Sequence, residues 1–508
     1  MGVINFIIRF IIGAIASITL IVTIRMITFP SHQVNVGECS VKDDDFIHLS
    51  QQAIERFQQS LRLQTIFNEN ESFNTSAFLA LHQHLVDNYP LIHNASFISR
   101  EIINSYSLLY TINGSNPALT PYMLTAHLDV VPAKKDEWSY DPFSAHIVDG
   151  FIYGRGTLDD KNGVIGLMEA LEFRLRKKIM PKRSFYLAFG HDEEVTGLHG
   201  AYHIGKILAD RGVEPDFILD EGMMIVSDGA PGVKGPVAFV GITEKGYATL
   251  QLTVANGTDH DIVPEVNSNI GILAQAVSTL ERVGHRNLFG SGPEVIMLEH
   301  LAPLMGFSYR IIMTNLWLFS YVVSLQFDAD AATRAYIKTT TALTMFHSNS
   351  DSINVGSSSA TAIINHRIHP SQSVTEVINY DKAIINDDRV QFKILDSYNP
   401  PRLSPIDSFG YKVIYKSVRQ VFKNVPVIPS VMIGNTDTIH YLHLTRNIYR
   451  FSPSCLSATT DLKRIHGIDE RISLQNYQET LNFYFHVFDN ADKGINLPDR
   501  DKERAMEF

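Results

Sequence analysis

The sequence predicts an α/β fold in which a smaller βαββαβ domain of the ferredoxin-like type is inserted into a larger domain. Two observations support this: strands alternate with helices up to about residue 243, and a strand–helix–strand–strand–helix–strand order follows before α/β character resumes. The predicted division is a leader at 1–30, the larger domain at 31–243 and 399–508, and the inserted domain at 244–398 with its own insertion at 287–328.

The elements of the larger domain are predicted from short apolar runs that alternate with helical patterns. Apolar residues recur at three- and four-residue spacing in the predicted helices, whereas the runs between them have the length of buried strands. Helices are expected at 44–66, 164–175, 197–209 and 474–489, strands at 108–112, 122–131, 184–189 and 217–219, and further α/β structure at 411–422 and 427–433. This alternation predicts a sheet with helices on both faces.

The inserted domain is predicted from a different order of elements. Strands are expected at 248–254, 335–345, 360–368 and 390–395, and helices at 267–283 and 373–385. Its insertion contains the run IIMTNLWLFSYVVSL at 311–325, which carries no charge in fifteen residues. This run is interpreted most simply as a buried core helix, with a dimer surface, a membrane-dipping element or an apolar wall of the site as alternatives.

The N-terminal segment differs from the rest of the chain. Residues 10–24 read FIIGAIASITLIVTI between Arg9 and Arg25, with no convincing small-x-small cleavage site after them. The run fits a signal anchor or a signal peptide, and we favour the uncleaved anchor. Sequons occur at Asn70, Asn74, Asn94, Asn113 and Asn256. The chain is therefore expected in the secretory pathway, either secreted or membrane-anchored with its larger domain in the lumen or outside the cell.

Composition excludes several classes of protein. The net charge is −11 and no basic block occurs, which argues against a nucleic-acid partner. Only Cys39 and Cys455 are present, so one disulfide is the most that the chain can form, and paired metal-binding cysteines are absent. Any metal must therefore bind to histidine and carboxylate side chains.

Such side chains follow several of the predicted strands. His127 and Asp129 lie in TAHLDVVP at the end of an apolar strand, where side chains two apart share a face. Asp159 and Asp160 follow a glycine-rich turn in YGRGTLDDK. Either pair alone also fits a structural role, as a buried pair or as a helix N-cap.

Three further acidic or imidazole motifs complete the pattern. Consecutive acids at 192–194 end the strand SFYLAFGHDEE, and such a cluster is unfavourable without a cation. Asp220 ends the short strand in FILDEG, and His466 lies in the polar loop RIHGIDE. Taken together, these side chains are the oxygen and imidazole ligands of a two-zinc hydrolase.

The motifs HLDVVP, GRGTLDDK, DEEVTG, LDEG and RIHGIDE together resemble the M20 metallopeptidase family over nearly the whole chain after the leader. The segments NLFGSGPE, NLWLFS and INHRIHP are similar to the branch that contains carboxypeptidase S and the N-fatty-acyl-amino-acid synthase/hydrolase. The resemblance implies a zinc-exopeptidase-like three-layer catalytic domain with two Zn²⁺ ions, and an inserted lid or dimerisation domain. It also implies a small-molecule substrate and, as in relatives, a homodimer through the inserted domain.

The resemblance also implies roles for individual residues. Asp129 would orient His127, Glu193 would act as the general base, and the peptide bond after Asp159 would be strained and cis. Asp159 would bridge the two ions, which would be held by the ligands His127, Asp159, Glu194, Asp220 and His466.

In the lid, the resemblance implies that His260 reaches the oxyanion and that Arg367 and Asn354 recognise the substrate carboxylate. The chain departs from the family pattern around two of these residues. Asp259-His260-Asp261-Ile262 stands where relatives have Gly-His-Ser-Ser, and SNSDSINVGSS replaces a Gly-x-Lys followed by Asn-Val-Ile-Pro.

Hydrolysis or synthesis of an N-acyl amino acid, with a large apolar acyl group and a free α-carboxylate, is the function that the sequence favours. A carboxypeptidase that trims peptide C-termini is the first alternative, and a catalytically retired binding protein of the same fold is the second. An exopeptidase of another fold that trims N-termini is disfavoured by Arg367, because such an enzyme must bind an amine.

Overall fold

The structure, a computed structural model, describes residues 2–68, 72–255, 267–350 and 355–495. Its helices are α1 (Gly2–Thr28), α2 (Gln51–Arg62), α3 (Thr75–Asn88), α4 (Pro90–Asn94), α5 (Lys161–Arg176), α6 (Ala201–Asp210), α7 (Asn269–Val283), α8 (Glu294–Leu301), α9 (Phe307–Met313), α10 (Leu316–Ala329), α11 (Ala331–Ile337), α12 (Val374–Ile385), α13 (Phe409–Val421) and α14 (Leu474–Lys493).

The strands form three sheets, of ten, four and three strands. They are β1 (Ile98–Ile103), β2 (Ser107–Ile112), β3 (Tyr122–His127), β4 (His146–Val148), β5 (Phe151–Tyr153), β6 (Phe185–Gly190), β7 (Ile218–Asp220), β8 (Ile225–Val226), β9 (Val237–Glu244), β10 (Gly246–Val254), β11 (Thr340–Ser348), β12 (Ala360–Ile368), β13 (Gln391–Tyr398), β14 (Val427–Met432), β15 (Ile448–Arg450), β16 (Cys455–Leu456) and β17 (Arg471–Ser473).

The large sheet has the strand order β1-β2-β6-β3-β7-β15-β9-β8-β16, with β14 paired to β9. Successive side chains of β3 enter different cores, since Tyr122 and Leu124 pack in one hydrophobic cluster and Met123 in another. The first cluster includes residues of α5, α13 and α14, and the second includes residues of α6. The sheet therefore lies between two layers of helices, and the predicted three-layer α/β class is confirmed.

The inserted domain is a four-stranded antiparallel sheet in the order β11-β12-β10-β13. Alternate residues of β10 are buried, and its apolar side chains pack with those of α7 and α12 in one cluster. Because buried residues alternate with less buried ones in β10 and β12, the helices cover one face of this sheet and leave the other more open. The predicted βαββαβ arrangement is confirmed, whereas the domain limits at 243, 244, 398 and 399 stay predictions.

Several predicted elements differ from the structure in their limits, and two differ most. The helix expected at 44–66 is only α2, because Ser50 caps it by accepting a hydrogen bond from the Ala53 amide. The strand expected at 335–345 begins at Thr340, because α11 extends to Ile337. In the first place a side-chain cap sets the boundary, and in the second a short helix takes residues that the apolar pattern assigned to the strand.

The insertion folds as the short helices α8 to α11. The uncharged run 311–325 is not one helix, because it is divided at Thr314 and Asn315 between α9 and α10. The interpretation of this run as a buried core helix is wrong for α10, in which only Val323 is buried. Met297 and Leu298 of α8 instead form the core contact of the insertion, with Val237 of β9.

The leader forms α1, a 27-residue helix without buried residues. It is longer than the apolar run at 10–24 suggested, and it is long and apolar enough to cross a membrane. By length and composition a signal sequence meets the same criterion. Cys39 and Cys455 are both free thiols, so the disulfide that the sequence permitted is not formed.

Candidate metal centre

The candidate site lies at one edge of the large sheet, where neighbouring parallel strands end. β3 pairs in parallel with both β6 and β7, and His127 at its end is opposite Gly190. The acids of 192–194 follow β6 directly, and Asp220 ends β7. The carboxyl ends of parallel strands form the edge at which α/β proteins bind ligands. This topology places the motif residues together.

Asp159 occupies the middle of the site, with an imidazole on each carboxylate oxygen. Its Oδ1 lies 2.8 Å from Nε2 of His127, and its Oδ2 lies 2.9 Å from Nε2 of His466. The same His466 nitrogen is 3.1 Å from Oε2 of Glu194. A carboxylate with one histidine at each oxygen can bridge two cations. The peptide bond between Asp159 and Asp160 is cis, as expected.

Asp129 is buried and supports both sides of the site. Its two carboxylate oxygens accept hydrogen bonds from the amides of Glu193 (3.2 Å) and Glu194 (3.0 Å). Its Oδ1 is also 3.4 Å from Nδ1 of His127. One side chain therefore orients the imidazole and fixes the backbone that carries both glutamates.

The structure brings Glu221, and not Asp220, into a second group of metal-binding side chains. Ligand atoms of His127, Glu193 and Glu221 lie within 4.8 Å of one another, as do those of His127, Asp159 and Glu194. Asp220 instead accepts hydrogen bonds through Oδ1 from the hydroxyl of Thr125 and the amide of Glu221. The sequence offered both acids in LDEG, and strand burial alone does not distinguish them.

The site concentrates negative charge in a buried place. Burial raises the pKa of Glu193 and of Glu221 well above the usual range, and neighbouring carboxylates add to the effect. Burial and Asp159 raise the pKa of Glu194 to about 7. Against burial, the two imidazoles hold the pKa of Asp159 well below its usual range. Such a cluster needs positive charge, which protons supply in the absence of a cation.

A buried ion pair, which sequence reasoning missed, joins the two loops that carry Asp159 and His466. Arg155 Nη1 donates to Oε2 of Glu470 at 2.6 Å, and Arg155 Nη2 donates to the carbonyl oxygens of His466 and Gly467. Oε1 of Glu470 accepts from the amide of Leu158 at 2.7 Å. Arg155 lies in the motif GRGTLDDK and Glu470 in the motif RIHGIDE. The sequence therefore contained both residues, but nothing in it indicated that they form a pair.

Of the three expected lid residues, the structure describes only Arg367. It lies on β12 with an exposed side chain whose Nη1 donates to Oδ1 of Asn435. Within the described part of the chain, no carboxylate forms an ion pair with Arg367. His260 and Asn354 lie outside the described residues, so their expected roles stay predictions.

The fold and the carboxylate–imidazole cluster define a metal-dependent exopeptidase-type hydrolase. Residues 123–490 match the model of peptidase family M20/M25/M40, and the chain belongs to this family of metallopeptidases and amidohydrolases. It is an enzyme of the M20 type, as its motifs predicted.

The chain is 43% identical over 448 residues to an N-fatty-acyl-amino acid synthase/hydrolase of Xenopus tropicalis, covering 88% of this chain and 87% of that protein. It is 38% identical over 492 residues to a probable carboxypeptidase S-like protein of Dictyostelium discoideum, covering 94% and 92%. The predicted branch of the family is thereby confirmed. A metallo-carboxypeptidase from Sulfolobus solfataricus has the same fold, with a TM-score of 0.64 and 17% identity over 88% of this chain and all of that one.

The side chains of this chain fit the metal that the family requires. The donor set consists of imidazole and carboxylate groups, which zinc accepts. In addition, Oδ2 of buried Asp220 has no hydrogen-bond partner among the described residues. An orphaned oxygen beside several crowded carboxylates is consistent with a cation in this pocket.

We expect Glu470→Gln to lower both stability and metal content. Leaving buried Arg155 without its partner charge costs about 3–5 kcal/mol of unfolding free energy. The loops of Asp159 and His466 then lose their common support. Denaturant unfolding and plasma mass spectrometry check the two effects. Glu101→Gln is the control, because it removes an exposed ion pair with Arg211 and costs less than about 1 kcal/mol. Equal stability and full metal content in Glu470→Gln would contradict the prediction.

We also expect the stability of the metal-free protein to fall as pH rises. Hydrogen bonds to Asp159 and Glu194 raise the pKa of His466 to about 10 from its ordinary 6.5, and Glu194 shifts to about 7 from 4.5. Both groups bind protons more tightly in the folded state, so their contribution is complete below the ordinary values and is lost as pH rises through the shifted ones.

Thermal unfolding after chelation tests this expectation from about pH 5 to about pH 9. Added zinc should raise Tm more at the alkaline end, because the cation then takes the place of the lost protons. A Tm of the metal-free protein that does not change with pH would contradict the expected coupling.

Proposed function

We propose that this enzyme is a two-zinc amidohydrolase that cleaves or forms the amide bond of N-fatty-acyl amino acids. The observation that supports it most is the position of Asp159 between His127 and His466, one imidazole at each carboxylate oxygen. The name of the Xenopus relative, an N-fatty-acyl-amino acid synthase/hydrolase, supports the substrate class.

In this proposal, His127, Asp159 and Glu221 would hold one zinc, and Asp159, Glu194 and His466 would hold the other. Glu221 replaces Asp220 in the expected ligand set, because a ligand atom of Glu221 lies within 4.8 Å of those of His127 and Glu193. When bound, a zinc pair polarises the scissile carbonyl and lowers the pKa of the attacking water towards about 7.

Glu193 is the proposed general base. It lies beside the ligands, with Oε2 4.0 Å from Nε2 of His127, and Asp129 holds its backbone amide. Its carboxylate takes the proton of the attacking water and then gives it to the nitrogen of the leaving amine. Burial raises the pKa of Glu193, which makes its carboxylate a stronger base.

Arg367 is the proposed partner of the substrate carboxylate. Its planar guanidinium can hold a carboxylate through two parallel hydrogen bonds, and Asn435 already orients one edge of the group. Asn435 is itself held, since its Nδ2 donates to the carbonyl oxygen of Lys245 at 2.6 Å. His260 and Asn354 are proposed to complete the lid side of the site.

For the cell, we propose a secretory-pathway enzyme anchored or targeted by α1, with a homodimer formed through the inserted domain. The open face of the inserted sheet at β11 is available for such contact. The second candidate function is a carboxypeptidase, favoured by the name of the Dictyostelium relative. A retired binding protein stays an alternative, but it has no need for Glu193 as a base.

We expect Glu193→Gln to lose turnover and keep its metal. Loss of a general base lowers kcat by about 10²–10⁴. The matched variant Glu194→Gln should lose zinc as well, because it removes a ligand. Wild-type protein should contain two zinc ions per chain by plasma mass spectrometry. Near-normal turnover in Glu193→Gln would remove this residue from the mechanism, whereas a wild-type protein without turnover would favour the retired alternative.

We expect kcat/KM to rise with acyl length, since a methylene contributes up to about 0.8 kcal/mol when it is fully buried and less when it is partly buried. A series from acetyl to oleoyl amino acids should show a several-fold rise for each pair of carbons. Arg367→Ala should raise KM for every member, whereas Arg389→Ala, which removes an exposed arginine paired with Asp387, should not. A flat series would favour the carboxypeptidase. Equal rates on an acyl amino acid and its methyl amide would exclude Arg367 from recognition.

A further inference from the structure

One side of α10 presents an apolar face to solvent. This apolar face consists of Trp317, Leu318, Tyr321, Val322 and Leu325, which are 54%, 41%, 73%, 62% and 51% exposed. The spacing from Leu318 to Leu325 is that of a single helix face. Neighbouring α9 adds Phe307 (70% exposed) and Tyr309 (45%). A contiguous apolar patch on a folded protein marks an interaction surface.

The apolar face continues from the leader helix α1. Nε of Arg25 donates to the carbonyl oxygen of Thr314 at 2.7 Å, and Nδ2 of Asn315 donates to the carbonyl oxygen of Val22 at 3.2 Å. Trp317 joins this network, because its indole nitrogen donates to Oδ1 of Asn315. The C-terminal end of α1 is therefore hydrogen-bonded to the junction from which α10 begins.

The contact places the apolar face at the depth where α1 would leave a bilayer. A helix of 27 residues is about 40 Å long, which exceeds the hydrocarbon thickness of about 30 Å. The basic residue Arg25 at its C-terminal end belongs at the lipid headgroups. Residues hydrogen-bonded to Arg25 and Val22 then lie at the same level, next to the acyl chains.

We propose that α9 and α10 lie in the interfacial layer of a phospholipid bilayer, with the apolar face against the acyl chains. Trp317, Tyr309 and Tyr321 have the amphipathic rings that favour this layer. No charged side chain occurs between Arg310 and Asp328, so the face enters lipid without burying a charge. A second copy of the chain would cover the same residues, but it would not explain their junction with α1.

The proposal gives the insertion a role in the supply of substrate, and this part rests on the proposed function. A long-chain acyl amino acid partitions into a bilayer, so an enzyme docked by α10 meets it there. The insertion also contacts Lys245, the residue between β9 and β10. Nζ of Lys245 donates to the carbonyl oxygens of Ala335 and Lys338, while the Lys245 carbonyl accepts from the Asn435 that holds Arg367.

Tryptophan quenching by brominated lipids tests the docking directly. The chain has two tryptophans, and Trp138 is only 8% exposed, which leaves Trp317 as the reporter. The full-length protein is reconstituted into phosphatidylcholine vesicles with bromines near the headgroup or near the bilayer centre, and membrane insertion is verified by flotation. We expect shallow bromines to remove about half of the emission and deep bromines to remove less. Trp317→Phe should abolish the quenching.

Either of two other results in this experiment would overturn the proposal. Unquenched emission at the wavelength of water-exposed indole would show that the face is in solvent. Unquenched but blue-shifted emission from a dimer would show that a second copy covers it.

A pair of charge variants provides the functional readout. Tyr321→Glu/Val322→Lys should lower turnover of an oleoyl amino acid in vesicles several-fold and leave an acetyl amino acid in water unchanged. Ile394→Lys, at a half-exposed position on the edge strand β13, is the control and should change neither rate. Equal vesicle rates in wild type and the double variant would overturn the role in supply. If wild type cleaves neither substrate, the proposed function fails, while the quenching result still decides the docking.

Discussion

The crowding of buried carboxylates around Asp159 is the constraint on which the rest of the site depends. Glu193, Glu194 and Glu221 each have a ligand atom within 4.8 Å of His127, and burial raises the pKa of each of these glutamates. A fold can hold such a cluster only if positive charge enters it and if rigid elements resist the repulsion. The metal dependence of the M20 family supplies the charge, and the strand ends supply the rigidity.

Different residues hold the candidate metal ligands in place at the sheet edge and in the loops. On the sheet side, Asp129 ties His127 to the glutamates through a side chain that is fully buried. On the loop side, His466 has a positive φ of 57° and a half-exposed ring, so its position depends on the Arg155–Glu470 pair. One side of the site is thus fixed by a buried carboxylate, and the other side is partly open to solvent.

The inserted domain and its own insertion contribute one polar and one apolar feature to the molecule. On β12, exposed Arg367 donates a hydrogen bond to Asn435, and such a guanidinium suits a polar substrate end. α10 faces outward beside α1 and offers apolar side chains, which suits an apolar substrate end. A molecule with one carboxylate and one long acyl chain has both ends, and this is the class of substrate that we propose.

The sequence by itself determined the α/β class, the βαββαβ insertion and the set of residue types at the strand ends, because apolar periodicity and local motifs are properties of short segments. Only the tertiary structure shows that Glu221, and not Asp220, joins His127 and Glu193 in a group of candidate metal-binding side chains, since this grouping depends on how neighbouring strands end. The Arg155–Glu470 pair spans 315 residues, and no local pattern predicts such a contact. The same holds for α10, because an uncharged run can form either a core helix or a surface helix. Only the tertiary structure shows that Val323 alone is buried in this helix, and that α1 contacts the residue before it.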